Sequence, residues 1–167
     1  RNVVGPMDYT PVTFTNSQYP HVTSYGHELA LGILFESGLQ HLADRPEGYY
    51  SLPEEVITIL KKLPAAWDDT KFIYGYPGKN AALARRKEES WYMAGISSEL
   101  WEIEKEIALE FLKPGIEYQL KLVQDGEHDK AFKISDGKGT SEDTLKVKLL
   151  RRGGFIAVFE PIKSLTK

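Results

Sequence analysis

The sequence predicts an α+β chain in two parts: one βα unit with a short second helix, then an all-β antiparallel sandwich. Three observations carry that reading. Val3 and Val4 form an apolar run long enough for one buried strand, which Gly5 and Pro6 break before a polar loop leads into a strongly apolar helical segment. From Ala65 onward the apolar positions alternate, the repeat of a half-buried strand rather than of a helix. That stretch is punctuated by Pro114-Gly115, Asp125-Gly126, Asp136-Gly137 and Gly153-Gly154, dipeptides that favour turns. The boundary falls at Pro64–Asp69, dividing the chain into residues 1–64 and 65–167.

The first strand ends in a stiff loop. Pro6 and Pro11 fix their own φ and push the residues before them into extended conformations, so Asp8 and Tyr9 are held between them. In parallel β/α folds the loop at a strand's carboxyl end is where ligands bind, which makes Asp8 and Tyr9 a candidate substrate-binding rim. The competing reading of Asp8 is a turn-former that bonds its own backbone. Residues 19–24 read as loop, with Ser24 placed to cap the next helix by accepting from its exposed amides.

That helix is expected over Tyr25–Ala43. Its apolar residues, among them Leu29, Ile33, Leu34, Phe35, Leu39 and Leu42, spread round most of the circumference, the mark of a helix wrapped by protein. Asp44 to Tyr50 reads as a rigid turn that ends it. Ser51-Leu52-Pro53-Glu54 has the spacing of a capping box, with Ser51 as N-cap and Pro53 in the first turn. Val56, Ile57, Leu60 and Leu63 then make the stripe of a short amphipathic helix closed by Pro64.

Beyond the boundary, Phe72, Tyr74 and Tyr76 are expected on one strand face, and Trp91, Met93 and Gly95 on another. Trp101, Ile103, Ile107, Leu109 and Phe111 fall on one side of a long strand, with Glu102, Glu104, Glu106 and Glu110 opposite as a solvated acidic face. Tyr118, Leu120 and Leu122 repeat the pattern, as do Leu145, Val147 and Leu149, then Phe155, Ala157 and Phe159. Seven or eight short strands in about 100 residues predict a sandwich.

Composition sets outer limits. The chain has 167 residues, 41% of them hydrophobic, enough for a core in one domain or one and a fraction. A net charge of -3 offers no footprint for nucleic acid or a membrane surface, so neither is an expected partner. No apolar run approaches the roughly 18–20 residues of a membrane span. With no cysteine there is neither disulfide nor thiolate metal site, and the redox compartment stays open. The first residue is not Met, no signal peptide is visible and the opening residues read as strand interior, so the sequence is expected to be part of a longer chain.

The remaining candidates for chemistry are weaker than Asp8 and Tyr9. His27, Glu28 and Glu36 suggest a metal set, but the first two are adjacent and point about 100° apart on a helix. Glu36 lies two turns further on, so hydrogen bonds or ion pairs are the expected role. Asp125, Glu127 and Asp129 make an acidic loop without the ligand order of a calcium loop. Arg85-Arg86-Lys87 is balanced at once by Glu88-Glu89 and reads as a solvated hairpin end. Trp67, Trp91 and Trp101 are able to stack sugars, yet the last two alternate with core positions and are expected in the core. No pair of carboxylates in this sequence is an obvious acid/base dyad.

One resemblance bears on all of this. Gly5-Pro6-Met7-Asp8-Tyr9-Thr10-Pro11, then His27-Glu28-Leu29-Ala30 and Glu36-Ser37-Gly38-Leu39-Gln40, resemble the end of the catalytic barrel of glycoside hydrolase family 97. Gly78-Lys79, Ala84-Arg85-Arg86-Lys87 and Trp91-Tyr92-Met93-Ala94-Gly95-Ile96 resemble that family's C-terminal β domain. The resemblance implies that residues 1–64 are the last βα unit of a (β/α)8 barrel with its linking helix, and that 65–167 is the C-terminal sandwich. It implies a parent enzyme that is a calcium-dependent α-glucosidase or α-galactosidase acting on α-linked oligosaccharides, periplasmic or secreted in a bacterium. The family's catalytic carboxylates and calcium-binding glutamates belong to motifs that precede the stretch corresponding to Arg1. No catalytic or metal-ligating residue is therefore assigned within this chain, and the fragment by itself is expected to be inactive. Glucoside or galactoside preference and inversion or retention stay open. The alternative is a sugar-binding or protein-docking module without activity, using aromatics such as Trp67, Tyr74 and Tyr76 as a platform.

Overall fold

The computed structural model describes residue 5 and residues 9–16, 19–37 and 41–162. Among the described residues three helices come first: α1 (Tyr25–Leu34), α2 (Pro46–Tyr50) and α3 (Glu54–Lys62). Eight strands follow: β1 (Asp69–Tyr76), β2 (Asn80–Lys87), β3 (Ser90–Ser97), β4 (Ile103–Ala108), β5 (Tyr118–Asp125), β6 (Phe132–Gly139), β7 (Thr144–Leu149) and β8 (Gly154–Pro161). The expected strand at Val3–Val4 lies outside the described residues.

Ser24 caps α1 as expected, its hydroxyl oxygen accepting from the His27 N–H at 3.0 Å. The helix stops at Leu34, however, well short of Ala43, and Phe35 is already extended. The apolar run carried on, but its last free carbonyls found a partner from another element. The Arg85 guanidinium donates to the Leu34 carbonyl at 3.1 Å, closing the helix where an uninterrupted pattern predicts more turns. Leu42 still packs against the core, from a non-helical segment.

The expected turn at Asp44–Tyr50 contains a short helix, α2, with Pro46 in its first turn. The capping box does not form. Ser51 terminates α2, donating its hydroxyl to the Gly48 carbonyl at 2.7 Å, so α3 starts after Pro53 with no side-chain cap. Glu54 and Glu55 in its first turn and Lys61 and Lys62 in its last complement the helix dipole instead.

The strands build two antiparallel sheets. Six run in the order β1-β2-β3-β8-β5-β6, and β4 pairs with β7 as a second layer. Alternation works as predicted on the inner face. Met93, Ala157 and Leu122 lie side by side across β3, β8 and β5, and with Trp91, Phe155 and Phe159 they pack against Ile107, Val147 and Leu149 of the small sheet. The opposite face of the large sheet carries the helices. Leu83, Tyr92, Val123, Ile156 and Val158 share one core with Leu29, Ile33, Val56 and Leu60. The result is three layers, two sheets and a helical cover.

Three strand-level expectations are corrected. Asp136-Gly137 lies inside β6 and is not a turn. Trp101 precedes β4 and is 62% exposed, because the strand begins only at Ile103. The row Phe72, Tyr74, Tyr76 is broken by a β-bulge, since Phe72 pairs with Leu83 but Tyr74 with Ala82.

Candidate functional site

Of the two predicted rim residues, Asp8 lies outside the described residues. Tyr9 rests its ring edge-on against Phe35, 5.1 Å between centroids. Burial raises the pKa of its phenol, and the charge of Glu28 pushes the same way.

The segment after Tyr9 builds a polar cleft of about 670 Å³, lined among others by Thr13, Tyr19, His21, Glu28, Asp44 and Arg45. Asn16 Oδ1 accepts from both the His21 backbone N–H at 2.7 Å and His21 Nδ1 at 2.8 Å. An oxygen able only to accept fixes the proton on Nδ1. In the neutral ring, Nε2 then accepts the Thr13 hydroxyl proton at 2.9 Å. Asp44 ties the cleft together. Its carboxylate accepts from the N–H groups of Phe14, Thr15 and Arg45 and from the Thr15 hydroxyl. Burial pushes the Asp44 pKa up, but those donors outweigh it and hold the group below its ordinary value. Glu28 accepts from the Thr23 hydroxyl at 2.8 Å. Both carboxylates are thus engaged in holding loops.

Sequence reasoning singled out Glu28 and passed over His21 and Asp44. Neither left a local signal: Asp44 serves Phe14 and Thr15, far back along the chain, and the N-cap of α2 is Arg45, not Asp44.

The acidic loop proves to be a structural staple. Asp125 is 3% exposed and accepts from the Ser24 hydroxyl at 2.5 Å, the Leu150 N–H at 2.8 Å and the Gly154 N–H at 2.9 Å. It joins the start of α1 to the turn before β8. Burial is the largest influence on its pKa and raises it, against the pull of these donors. Asp129 points elsewhere, to Arg151 at 3.2 Å. Gly26 is required here, because a Cβ would stand 2.4 Å from an Asp125 oxygen.

Arg85 overturns the reading of a solvated hairpin end. It is 1% exposed, and its guanidinium reaches Glu36 at 3.4 Å, the Thr70 hydroxyl at 3.0 Å and the Leu34 carbonyl. Glu36 and Glu28 therefore serve separate partners. His27 is set against the backbone of Gly154, and burial lowers its pKa. Among the described residues no three His, Asp or Glu side chains are grouped to hold a metal ion.

The aromatic platform that the alternative reading called for is not assembled. Trp67 packs on Tyr92, 5.3 Å between centroids, in the helix-side core. Tyr74 joins the inter-sheet core, where burial lifts its pKa to about 12. Tyr76 is exposed. Trp91 is buried as expected.

Fold and site together define a β-sandwich domain with a helical cover whose described carboxylates do structural work. Residues 66–160 match the family model described as "Glycosyl-hydrolase 97 C-terminal, oligomerisation". The chain belongs to glycoside hydrolase family 97 and carries its C-terminal domain. A probable retaining α-galactosidase from Streptomyces bingchenggensis is 38% identical over 158 residues, covering 95% of this chain and 24% of that protein. A retaining α-galactosidase from Bacteroides thetaiotaomicron is 31% identical over 170 residues, covering 93% of this chain and 25% of that protein. The chain thus spans about a quarter of the length of these curated relatives. Among solved structures, a family 97 enzyme from Pseudoalteromonas sp. strain K8 in complex with acarbose superposes with a TM-score of 0.87 at 26% identity, over 95% of this chain and 27% of the other. A variant family 97 enzyme from the same strain, in complex with panose, gives a TM-score of 0.87 at 24% identity, over 95% of this chain and 27% of the other.

Proposed function

We propose that this chain is the C-terminal portion of a retaining α-galactosidase acting on α-linked oligosaccharides, in which residues 1–64 complete the catalytic barrel and residues 65–167 brace it. The observation that carries this reading is the 38% identity to the Streptomyces α-galactosidase, which runs through helices and sandwich alike over 95% of the chain. The shared core of α1, α3 and the large sheet supports the bracing role, because helices that bury one face in the sandwich cannot shift without it. The catalytic carboxylates would come from the preceding part of the protein, since Glu28 and Asp44 are already engaged in loop hydrogen bonds. Calcium belongs to the same reading. Among the described residues no donor set is grouped to hold it, and the family resemblance puts its ligands in motifs that precede this stretch. The panose and acarbose complexes of the Pseudoalteromonas enzyme make α-glucoside the competing specificity. The family resemblance further implies a periplasmic or secreted bacterial enzyme.

The test is an assay of the full-length protein on aryl α-galactosides and α-glucosides, with and without a calcium chelator, beside the 167-residue chain alone. The full-length protein is expected to cleave the galactoside with retention and to lose activity on chelation, while the chain alone shows none. Turnover by the purified chain, or a full-length protein that cleaves neither substrate, overturns the reading. Asp8→Asn in the full-length enzyme should weaken turnover or sugar binding without unfolding it. Unchanged kinetics on every α-glycoside would remove Asp8 from the rim. A second reading, self-association of the parent through the sandwich, is favoured by the description of the matching family model and by Leu100 and Trp101, adjacent and both exposed.

A further inference from the structure

The loop before α1 is built inside out. Along Tyr19-Pro20-His21-Val22 the polar side chain turns inward and the apolar ones turn outward. His21 donates its backbone N–H and Nδ1 proton to Asn16, accepts from the Thr13 hydroxyl, and stands edge-on to the Tyr25 ring at 5.9 Å. Tyr19 and Val22 flank it at 82% and 71% exposure. Isolated apolar residues on a surface are ordinary, but these two line the same cleft of about 670 Å³. Nor can the loop fold them away. Its far end is fixed where the Thr23 hydroxyl donates to Glu28 at 2.8 Å and the Ser24 N–H to the Arg152 carbonyl at 3.2 Å.

The opposite side of the molecule is finished for water. Across the outer face of the small sheet Lys148 pairs with Glu102 at 2.8 Å and Lys146 with Glu106 at 2.7 Å, a ladder of charges with no apolar tip between them. The helical layer instead holds out Tyr19 and Val22, and Tyr50 at the end of α2 is 79% exposed. Exposed apolar side chains beside a polar lining are the anatomy of an interface, an apolar centre with a hydrogen-bonding rim. The rim here keeps capacity. A carboxylate has about four acceptor positions, and the Thr23 hydroxyl takes one of those on Glu28.

What covers this side follows from size and connectivity. The curated relatives match this chain over only 24% and 25% of their own length, and the matching family model is a C-terminal one. If the chain is the C-terminal portion of a retaining α-galactosidase, most of that parent precedes it and joins it through the segment that supplies Thr13 and Thr15 to the cleft. We propose that Tyr19, Val22 and the cleft beside them are the seat against which the preceding part of the parent chain packs. An apolar side chain of that part lies between Tyr19 and Val22, and a hydrogen-bond donor meets Glu28. The seat presupposes the reading of the parent given above, but it is measured without reference to activity.

The experiment labels the full-length parent with N-ethylmaleimide after Tyr19→Cys, Val22→Cys or, as a control on the small sheet, Lys146→Cys. Each site is read by mass spectrometry of its own peptide, as a rate relative to that in urea. This stretch has no cysteine of its own, and all three side chains are exposed in the domain, so without cover they react alike. In the native parent Tyr19→Cys and Val22→Cys should react at least about tenfold more slowly than Lys146→Cys. Oxidation of the unsubstituted Tyr19 by hydroxyl radicals should be suppressed in the same way, which needs no variant. Equal labelling at all three positions would overturn the seat. So would protection confined to a dimeric fraction and lost in the monomer, which would make this side a contact between copies. A parent that shields both positions yet cleaves neither galactoside nor glucoside would keep the seat and overturn the enzyme reading. An active parent with both positions open would do the reverse.

Discussion

Replacing Asp125 by alanine removes a side chain that three chain segments depend on. The Leu150 and Gly154 N–H groups and the Ser24 hydroxyl would lose their acceptor in a region almost closed to solvent. Each orphaned buried donor costs about 1–3 kcal/mol. Two backbone donors without easy recourse, eased somewhat by relaxation, put the loss at about 3–5 kcal/mol, a large share of the roughly 5–15 kcal/mol a domain possesses. For a chain of this size that corresponds to a melting temperature lower by roughly 6–20 °C. Asparagine should cost less, about 1–2 kcal/mol, because its oxygen can face the two backbone N–H groups while its amide nitrogen turns to Ser24 Oγ. Urea unfolding followed by circular dichroism measures both variants. An alanine variant within 1 kcal/mol of wild type (about the size of one ordinary hydrogen bond) would refute the staple. An asparagine variant as damaged as alanine would refute the donor arrangement. The sign of the pH effect also follows. A carboxyl whose folded pKa is raised binds its proton more tightly when folded, so its contribution to stability falls as pH rises through the ordinary carboxylate range toward the folded value.

Asp44 should behave oppositely, because its folded pKa is depressed: the stability it contributes is present above the ordinary carboxylate range and is lost as pH falls through its folded value. The gap in urea midpoint between wild type and Asp44→Ala should therefore be wide at pH 7 and shrink at about pH 3; a constant gap would contradict this. Arg85→Ala should cost about 2–4 kcal/mol in the same unfolding measurement, less than a fully buried pair because Glu36 is partly exposed, and Arg85→Lys should recover only part, since an ammonium cannot serve Glu36, Thr70 and Leu34 as a planar fork does. Trp91→Ala should cost about 3–5 kcal/mol whereas Trp101→Ala stays within about 0.5 kcal/mol, and equal losses would show that Trp101 is buried after all.

Much of this protein was written into local pattern. Period-two alternation marked Trp91 and Met93, then Tyr118 to Leu122 and Phe155 to Phe159, as inward-facing, because a strand's side chains have only two sides and one must be apolar. Ser24 announced the start of α1, and Val56 and Leu60 the buried stripe of α3, since caps and stripes are satisfied within a few residues. Tertiary structure decided what depends on partners far along the chain. The end of α1 was set by Arg85, 51 residues beyond Leu34, and the role of Asp125 by Ser24, 101 residues before it. Neither pairing leaves a trace in the composition around either residue, so a buried arginine looked like a solvated one and a staple like a surface loop. The bulge at Ile73 likewise changed the faces of Phe72 and Tyr74 by one inserted residue, which no alternation rule foresees, because a bulge exists only in the register between two strands. A sequence specifies which surfaces seek cover, and the assembled sheets and helices determine what covers them.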